Sequence, residues 1–182
     1  NYIGMLNAGD KYMPNALSLV NSYLEFDKLD FIFGSVMKKV LRHGFRKYRI
    51  YWNFDFATSH SSGFFIANNA QKKLGKYNLL YKISSDFDLF FRMIVKENMR
   101  GLATKKNELI GVFKSGTSYS SKFSFNDHLK EETIIRLNNN QNIFFVFLVY
   151  SMHYFKNLNK IQKKNRIKFF FSLFLNIIKI TK

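Results

Sequence analysis

Two short segments of this sequence place carboxylates where they could act on a bound ligand. The first is Asn7–Asp10, a group of turn-forming residues that directly follows the apolar run Tyr2–Leu6. We interpret the run as a buried strand, and ligands of α/β sheets bind at the C-terminal ends of strands. Asp10 could there hold a divalent cation if the phosphates of a nucleotide supplied the remaining oxygens. The alternative interpretation is an ordinary surface turn.

The second segment, Ser84–Arg92, is interpreted as the start of a helix that carries Asp86 and Asp88 in its first turn. Carboxylates in a first turn suit the positive end of the helix dipole. Because the two are two residues apart, they point in different directions, so one could face a cleft while the other caps the helix. Arg92 follows Asp88 by four residues and could hold it in an ion pair. The alternative is a well-capped amphipathic helix with a surface ion pair.

A histidine gives a third candidate. His60 lies just before the apolar segment Ser62–Ala67, where it could contact a phosphate or a metal ion; more often such a histidine is a hydrogen-bonded structural residue. The chain contains no HExxH, phosphate-binding P-loop or GxGxxG motif. It also contains no cysteine, which excludes a disulfide scaffold, a thiolate metal site and a cysteine nucleophile. The other three histidines have no metal-ligand spacing.

The elements that would position these residues alternate between strands and helices. The first three form a strand–helix–strand unit, which is typical of α/β sheets, at residues 2–6, 14–26 and 29–34. The helix is expected to begin at Pro14 and to carry one apolar face, formed by Leu17, Val20, Leu24 and, at its edge, Tyr23. Residues 35–58 are basic and irregular, with an edge strand predicted at Tyr48–Trp52. Further patterns predict strands at 62–67 and 102–112, and helices at 69–74, 86–98 and 125–139.

Five parts of the chain, in order, resemble the family 2 glycosyltransferases of the GT-A fold. In chain order they resemble the family's metal-binding strand and turn, the strand after it, the acceptor-side segment, the helix of the catalytic base and a late glycine- and serine-rich loop. The parts of this chain that match these five features are, in the same order, Leu6–Asp10 with Tyr12–Leu17, Asp30–Gly34, His60–Phe65 with Lys73–Tyr77, Ser85–Arg92, and Ser115–Ser118.

The resemblance implies a partial GT-A catalytic domain of the α/β class. We expect a mixed sheet with flanking helices at 1–125, followed by a basic helical segment at 126–182. The family's N-terminal half, which holds the base and ribose of the nucleotide, has no counterpart in this sequence. That half would precede Asn1, so activity is expected to need a longer protein.

The implied activity is sugar transfer, with inversion, from a nucleotide-sugar donor to a glycan or lipid-linked acceptor in bacterial cell-surface polysaccharide synthesis. Asp86 matches the family's base, which takes the proton from the acceptor hydroxyl. Asp10 matches the last aspartate of the DxD motif, which holds Mn²⁺ or Mg²⁺ on the donor diphosphate. The place of the first aspartate falls on Asn7 or Ala8, so a metal requirement follows less directly than the reaction. Substrate binding is assigned to Asn7, His60, Asp88 and Arg92.

The C-terminal third differs in composition from the rest. Residues 133–182 contain nine lysines and arginines and no acidic residue. Two apolar runs, Ile143–Phe155 and Phe169–Ile180, flank the basic segment Lys156–Lys168. Neither run reaches the roughly 18 residues that a spanning helix needs. We therefore predict a helical hairpin through 143–180 that contacts an anionic membrane surface, at the cytoplasmic face of the cell membrane. The alternative is a helical pair packed on the catalytic domain.

The net charge of +17 also suggests a nucleic-acid partner. Aromatic residues among lysines could stack on bases and contact phosphates. No recognisable RNA- or DNA-binding motif supports that interpretation, so nucleic acid is not expected as a partner. A non-enzymatic basic module that binds an anionic membrane or nucleic acid is the rival to the enzyme.

Overall fold

The chain folds as a mixed α/β structure, as the sequence predicts. The computed structural model describes residues 1–26, 28–52, 61–114, 122–161, 166–168, 170–172 and 175. The strands are β1 Tyr2–Gly4, β2 Lys11–Tyr12, β3 Phe31–Phe33, β4 Ser35–Met37, β5 Leu41–Arg42, β6 Phe64–Ala67, β7 Gly101–Ala103 and β8 Leu109–Val112. The α-helices are α1 Ala16–Phe26, α2 Lys47–Trp52, α3 Asn68–Leu74, α4 Ser85–Phe91, α5 Phe125–Asn138 and α6 Ile143–Lys156.

The first sheet has the strand order β1-β6-β3-β7. Strands β1 and β3 both pair with β6 in antiparallel fashion, and β7 pairs with β3 in parallel. Strands β1, β3 and β7 therefore run in the same direction. The predicted strand–helix–strand unit is present, but β6 lies between its two strands.

The second sheet, in the order β2-β8-β4-β5, begins where the first one ends. Only Gly34 separates β3 from β4, so one extended stretch crosses from the first sheet into the second. A β-carbon on Gly34 would lie 1.9 Å from Cδ1 of Ile110, so glycine is required for this close approach. We call the crossing at Gly34, Gly63 and the turn Asn7–Asp10 the sheet junction. Strands β1, β3 and β7 all end at this side of the first sheet.

Aromatic packing forms the core beneath the first sheet. The rings of Phe33, Phe64 and Phe90 lie in mutual contact, with centroids 4.8 to 5.0 Å apart. The predicted apolar face of the helix after Ser84 is confirmed, because Leu89, Phe90, Met93 and Ile94 are all buried. This helix continues beyond α4 as a π-helical turn, Arg92–Lys96, so it is shorter and less regular than the prediction of 86–98.

The predicted edge strand at Tyr48–Trp52 is wrong, because these residues belong to helix α2. Ile50 is fully buried, and its carbonyl oxygen accepts a hydrogen bond from the guanidinium of Arg136 on α5. The carbonyl of Tyr51 accepts another from the same guanidinium. Long-range capping of this kind overrides the β propensity of the aromatic residues.

Helix α1 begins at Ala16, two residues after the predicted start at Pro14. Of the predicted apolar face, Val20 is buried and Tyr23 and Leu24 are partly buried in the same cluster, whereas Leu17 is 64% exposed, so the prediction is wrong for Leu17 alone. Leu17 borders an open cavity beside β1 instead of entering the core.

The C-terminal helices pack on each other and on the sheet-bearing part. Helix α5 starts with a capping box formed by Ser124 and Asp127. Its side chains reach α2 through Arg136 and the start of α4 through Glu131, so polar contacts cross the predicted domain boundary at 125. Helix α6 buries four residues against its neighbours, Val146, Val149, Tyr150 and Tyr154. Within the described residues no helix is both long and apolar enough to cross a membrane.

Candidate functional site

The turn Asn7–Asp10 lies at the sheet junction, between the last residue of β1 and the first of β2. The backbone N–H of Asp10 donates to the carbonyl of Asn7 over 3.0 Å, and Gly9 has φ of +90°, which favours glycine. The side-chain amide of Asn7 donates to Oγ of Ser61 over 2.7 Å. Ser61 begins the 3₁₀ turn before β6, so this bond holds the turn against the neighbouring strand.

Asp10 is nearly buried within this otherwise exposed turn, with 8% of its surface accessible. Its Oδ1 accepts the backbone N–H of Lys114 over 3.2 Å, just beyond the end of β8. The side chain of Lys114 is exposed and runs past Gly9, where a β-carbon would lie 3.4 Å from its Cδ. The turn therefore combines one fixed carboxylate with one solvent-facing ammonium group.

The donor set at this turn would suit a cation only together with a ligand that supplies further oxygens. Among the residues that the structure describes, no group of three or more His, Asp or Glu side chains could hold a metal ion. Asp10 alone would supply one hard oxygen. Magnesium is commonly held by one or two carboxylates together with substrate phosphates, so a single aspartate fits that mode of binding. A cation held by the protein alone would not fit.

Asp86 lies exposed in the first turn of α4, and Tyr77 connects it to Met5, the residue after β1. The Tyr77 hydroxyl forms a hydrogen bond with the Asp86 carboxylate and lies 3.0 Å from Sδ of Met5. Burial, followed by the charge and the hydrogen bond of Asp86, raises the pKa of Tyr77 well above its usual value. The hydroxyl therefore keeps its one proton, which faces both the Asp86 carboxylate and Sδ of Met5. Met5 precedes the turn by two residues, so a chain of contacts runs from Asp86 to the segment that leads to Asp10.

A carboxylate from α5, rather than a serine, caps the start of α4. Ser84 occupies the predicted N-cap position, but its side chain makes no capping bond. Glu131 instead accepts the backbone N–H groups of Lys82, Ile83 and Ser84, at 2.8, 2.8 and 2.6 Å. These bonds satisfy donors that precede the helix, and the negative charge suits the helix N-terminus. Glu131 thereby determines where Asp86 is presented.

The predicted ion pair between Asp88 and Arg92 is confirmed, with Nε to Oδ2 at 2.9 Å. Asp88 is 2% exposed, and its Oδ1 accepts the side-chain amide of Asn139. Arg92 also donates to the carbonyls of Leu74 and Lys76, at 2.6 and 3.0 Å. The pair therefore joins α4 to the loop that carries Tyr77. Substrate contacts by Asp88 and Arg92 stay a prediction.

A cavity of the described part of the chain lies elsewhere. It has a volume of about 550 Å³, opens between β1 and α1, and has neither Asp10 nor Asp86 in its lining. Aromatic and aliphatic side chains line much of it, among them Tyr2, Tyr12, Leu24 and Phe65. The carboxylates of the candidate site therefore lie outside this cavity.

Three supporting residues could not be identified as such from the sequence: Tyr77, Lys114 and Glu131. Tyr77 stands within the Lys73–Tyr77 segment that resembles the family's acceptor side, but nothing local indicates its bond to Asp86. Glu131 and Lys114 act across 47 and 104 positions of the chain. The predicted substrate residue His60 and the loop Ser115–Ser118 lie outside the described residues.

Comparison of the chain with models of protein families, with curated proteins and with solved structures gave no match.

Proposed function

We propose that this chain is part of a glycosyltransferase of the GT-A type, which transfers a sugar with inversion from a nucleotide-sugar to a glycan or lipid-linked acceptor. The observation that supports this most is the contact chain from the exposed Asp86, through Tyr77, to Met5 and the Asn7–Asp10 turn. It ties Asp86 to the segment that leads into the turn of Asp10, and the reaction needs two such carboxylates on separate sides of the donor sugar. Synthesis of bacterial cell-surface polysaccharide is the setting that the family resemblance suggests.

Asp86 acts as the general base in this proposal. Its carboxylate takes the proton of the acceptor hydroxyl while the hydroxyl oxygen attacks the anomeric carbon. The bond from that carbon to the diphosphate oxygen breaks, and its electron pair leaves with the nucleoside diphosphate. Attack from the face opposite the leaving group inverts the anomeric configuration. The hydroxyl of Tyr77 orients the carboxylate, while the pair of Asp88 and Arg92 holds the loop that carries Tyr77.

The turn at the sheet junction is the diphosphate side of the site. Asp10 would hold Mn²⁺ or Mg²⁺ together with the diphosphate oxygens, and a bound cation would neutralise the charge that develops on the leaving group. The ammonium of Lys114 adds positive charge next to the same turn. The place of the missing first aspartate falls on Asn7 or Ala8, and the side-chain amide of Asn7 donates to Ser61. His60 is assigned to the phosphates from the sequence alone.

The experiment is a donor screen with the protein as its gene encodes it. Purified protein is incubated with UDP-, GDP- and dTDP-sugars and an acceptor glycan extract, and nucleoside diphosphate release is measured with Mg²⁺, with Mn²⁺ and with EDTA. We expect release with at least one donor. Absence of release with every donor and acceptor would contradict the proposal. Activity that EDTA leaves unchanged would remove the metal role of Asp10 but not the transfer reaction.

A further inference from the structure

One face of α6 exposes a continuous apolar stripe. Phe144, Leu148, Met152 and Phe155 follow each other at intervals of four, four and three residues, so they share one narrow face of the helix. Their exposed fractions are 81, 52, 44 and 59%. The opposite face is the one that packs on the protein, through Val146, Val149 and Tyr150. We call the four exposed residues the α6 stripe.

The stripe continues onto the short helical segment that follows. Phe155 contacts the ring of Phe170, with centroids 5.6 Å apart, and Phe170 contacts Phe171. Ile167 and Phe171 are 76 and 57% exposed and stand four residues apart, on the same face of their segment. Single exposed apolar residues are ordinary, but a connected row across two segments marks an interaction surface.

Two exposed lysines lie at the end of this apolar surface. Lys156 follows Phe155 directly, and Lys168 follows Ile167; both side chains are exposed. No acidic residue occurs anywhere in 133–182. The acidic groups of α5 that lie nearest in sequence are engaged with the start of α4, as Glu131 shows. The surface is therefore apolar along its length and cationic at its end.

We propose that the α6 stripe, with Ile167 and Phe171, docks on an anionic lipid bilayer with α6 lying in the plane of the interface. Apolar side chains would enter the acyl boundary while the lysines contact lipid phosphates. Helix α6 is too short to span the bilayer, because a helix of 14 residues is about 21 Å long and the hydrocarbon core is about 30 Å thick. The buried face of α6 also stays packed when the helix lies flat.

Charge complementarity selects this partner over the alternatives. A second copy of the same surface would bring like charges together, because the region has no acidic residue to pair with its lysines. A nucleic acid would need cations along the stripe, and the stripe itself contains none. The proposal is independent of the glycosyltransferase assignment, because it depends on a different part of the molecule.

The only tryptophan of the chain stands beside the stripe and reports on docking. Trp52 is 48% exposed, its ring lies 4.5 Å from that of Phe145, and its carbonyl oxygen lies 3.1 Å from Nε2 of His153. Tryptophan favours the membrane–water interface. Binding to vesicles should therefore shift its emission to shorter wavelength, and lipids brominated near the headgroup should quench it.

The test is sedimentation of the purified chain with vesicles of phosphatidylcholine alone and with vesicles of equal parts phosphatidylcholine and phosphatidylglycerol. We expect binding to the mixed vesicles, a Trp52 blue shift, and weakening of both by salt. The double variant Phe144→Ser, Leu148→Ser should partition at least about tenfold more weakly, because two exposed apolar side chains are removed from the contact. The matched control is Leu17→Ser, Val40→Ser, which removes exposed apolar side chains from other surfaces and should bind like the unmodified chain.

Several results would overturn the proposal. Equal partitioning of the stripe variant and the unmodified chain is one, provided that circular dichroism shows both to be folded. Absence of binding to the mixed vesicles is another. A lipid-free dimer, or binding to a single-stranded oligonucleotide, that the stripe variant abolishes would assign the surface to a second copy or to nucleic acid instead.

Discussion

Replacing Glu131 with alanine removes the acceptor of three backbone N–H groups at the start of α4. Water can replace the carboxylate at the exposed N–H of Lys82, but Ser84 is 5% exposed and Ile83 is partly buried. A hydrogen bond to a charged group contributes about 1.5 to 3 kcal/mol, and two such bonds are lost without full replacement. We therefore expect a loss of about 3 kcal/mol in the free energy of unfolding. For a chain of 182 residues this lowers Tm by about 6 to 12 °C.

Urea unfolding followed by circular dichroism measures this loss, and amide hydrogen exchange localises it. The amides of Ile83 and Ser84 should exchange faster in Glu131→Ala than in the unmodified protein. The conservative variant Glu131→Gln keeps one acceptor oxygen and should lose about half as much stability. Glu25→Ala is the matched control, because Glu25 is exposed and accepts one side-chain bond, from Asn21; its effect should stay within about 0.5 kcal/mol. A Glu131→Ala protein as stable as this control would refute the capping role.

Three further predictions concern other contacts. Arg136→Met should destabilise the fold by about 2 kcal/mol, measured by urea unfolding, because the buried carbonyl of Ile50 loses its donor; unchanged stability would contradict the capping of α2. Tyr77→Phe should lower the rate of sugar transfer by about tenfold with donor affinity kept, since one hydrogen bond to Asp86 is lost; an unchanged rate would remove Tyr77 from the site. Burial, then two nearby cationic side chains, lowers the pKa of His43 below its ordinary 6.5, so protonation favours the unfolded chain. The contribution of His43 is therefore complete above its unfolded pKa and is lost as the pH falls. Stability should decrease from about pH 7 to pH 5, less steeply in His43→Asn, and an equal slope in that variant would contradict the argument.

The sequence predicted those helices whose ends are marked by residues nearby in the chain. Helix α3 ends at Leu74, directly before Gly75 as expected, and α5 covers Phe125–Asn138 against a prediction of 125–139. The strand order was not predictable, because sequence order alone places β1 next to β3 and nothing local indicates that β6 pairs between them. Strands β4 and β5, of three and two residues, were missed in the basic stretch 35–58, since so few residues show no alternation.

Of the candidate site, only the two carboxylates could be predicted from the sequence. Asp86 lies in a first helical turn, as the pattern predicts. Asp10 lies in a turn after a strand, but the prediction of a buried strand over Tyr2–Leu6 is wrong, because β1 ends at Gly4 and Ile3 and Leu6 are 37 and 49% exposed. Their supports could not be predicted, because Glu131 and Tyr77 act through contacts between distant parts of the chain. The same is true of helix α2, whose aromatic residues favour a strand until Arg136 binds its C-terminal carbonyls.

The most direct test of the proposed transfer reaction compares Asp86→Asn with the unmodified protein, with Glu25→Gln as the matched amide control. With an active donor identified, kcat for sugar transfer and the Kd of the nucleotide-sugar are measured for all three proteins. We predict that Asp86→Asn lowers kcat by about 10² to 10⁴-fold, the usual contribution of a general base, with Kd nearly unchanged. Normal turnover by Asp86→Asn would contradict the account.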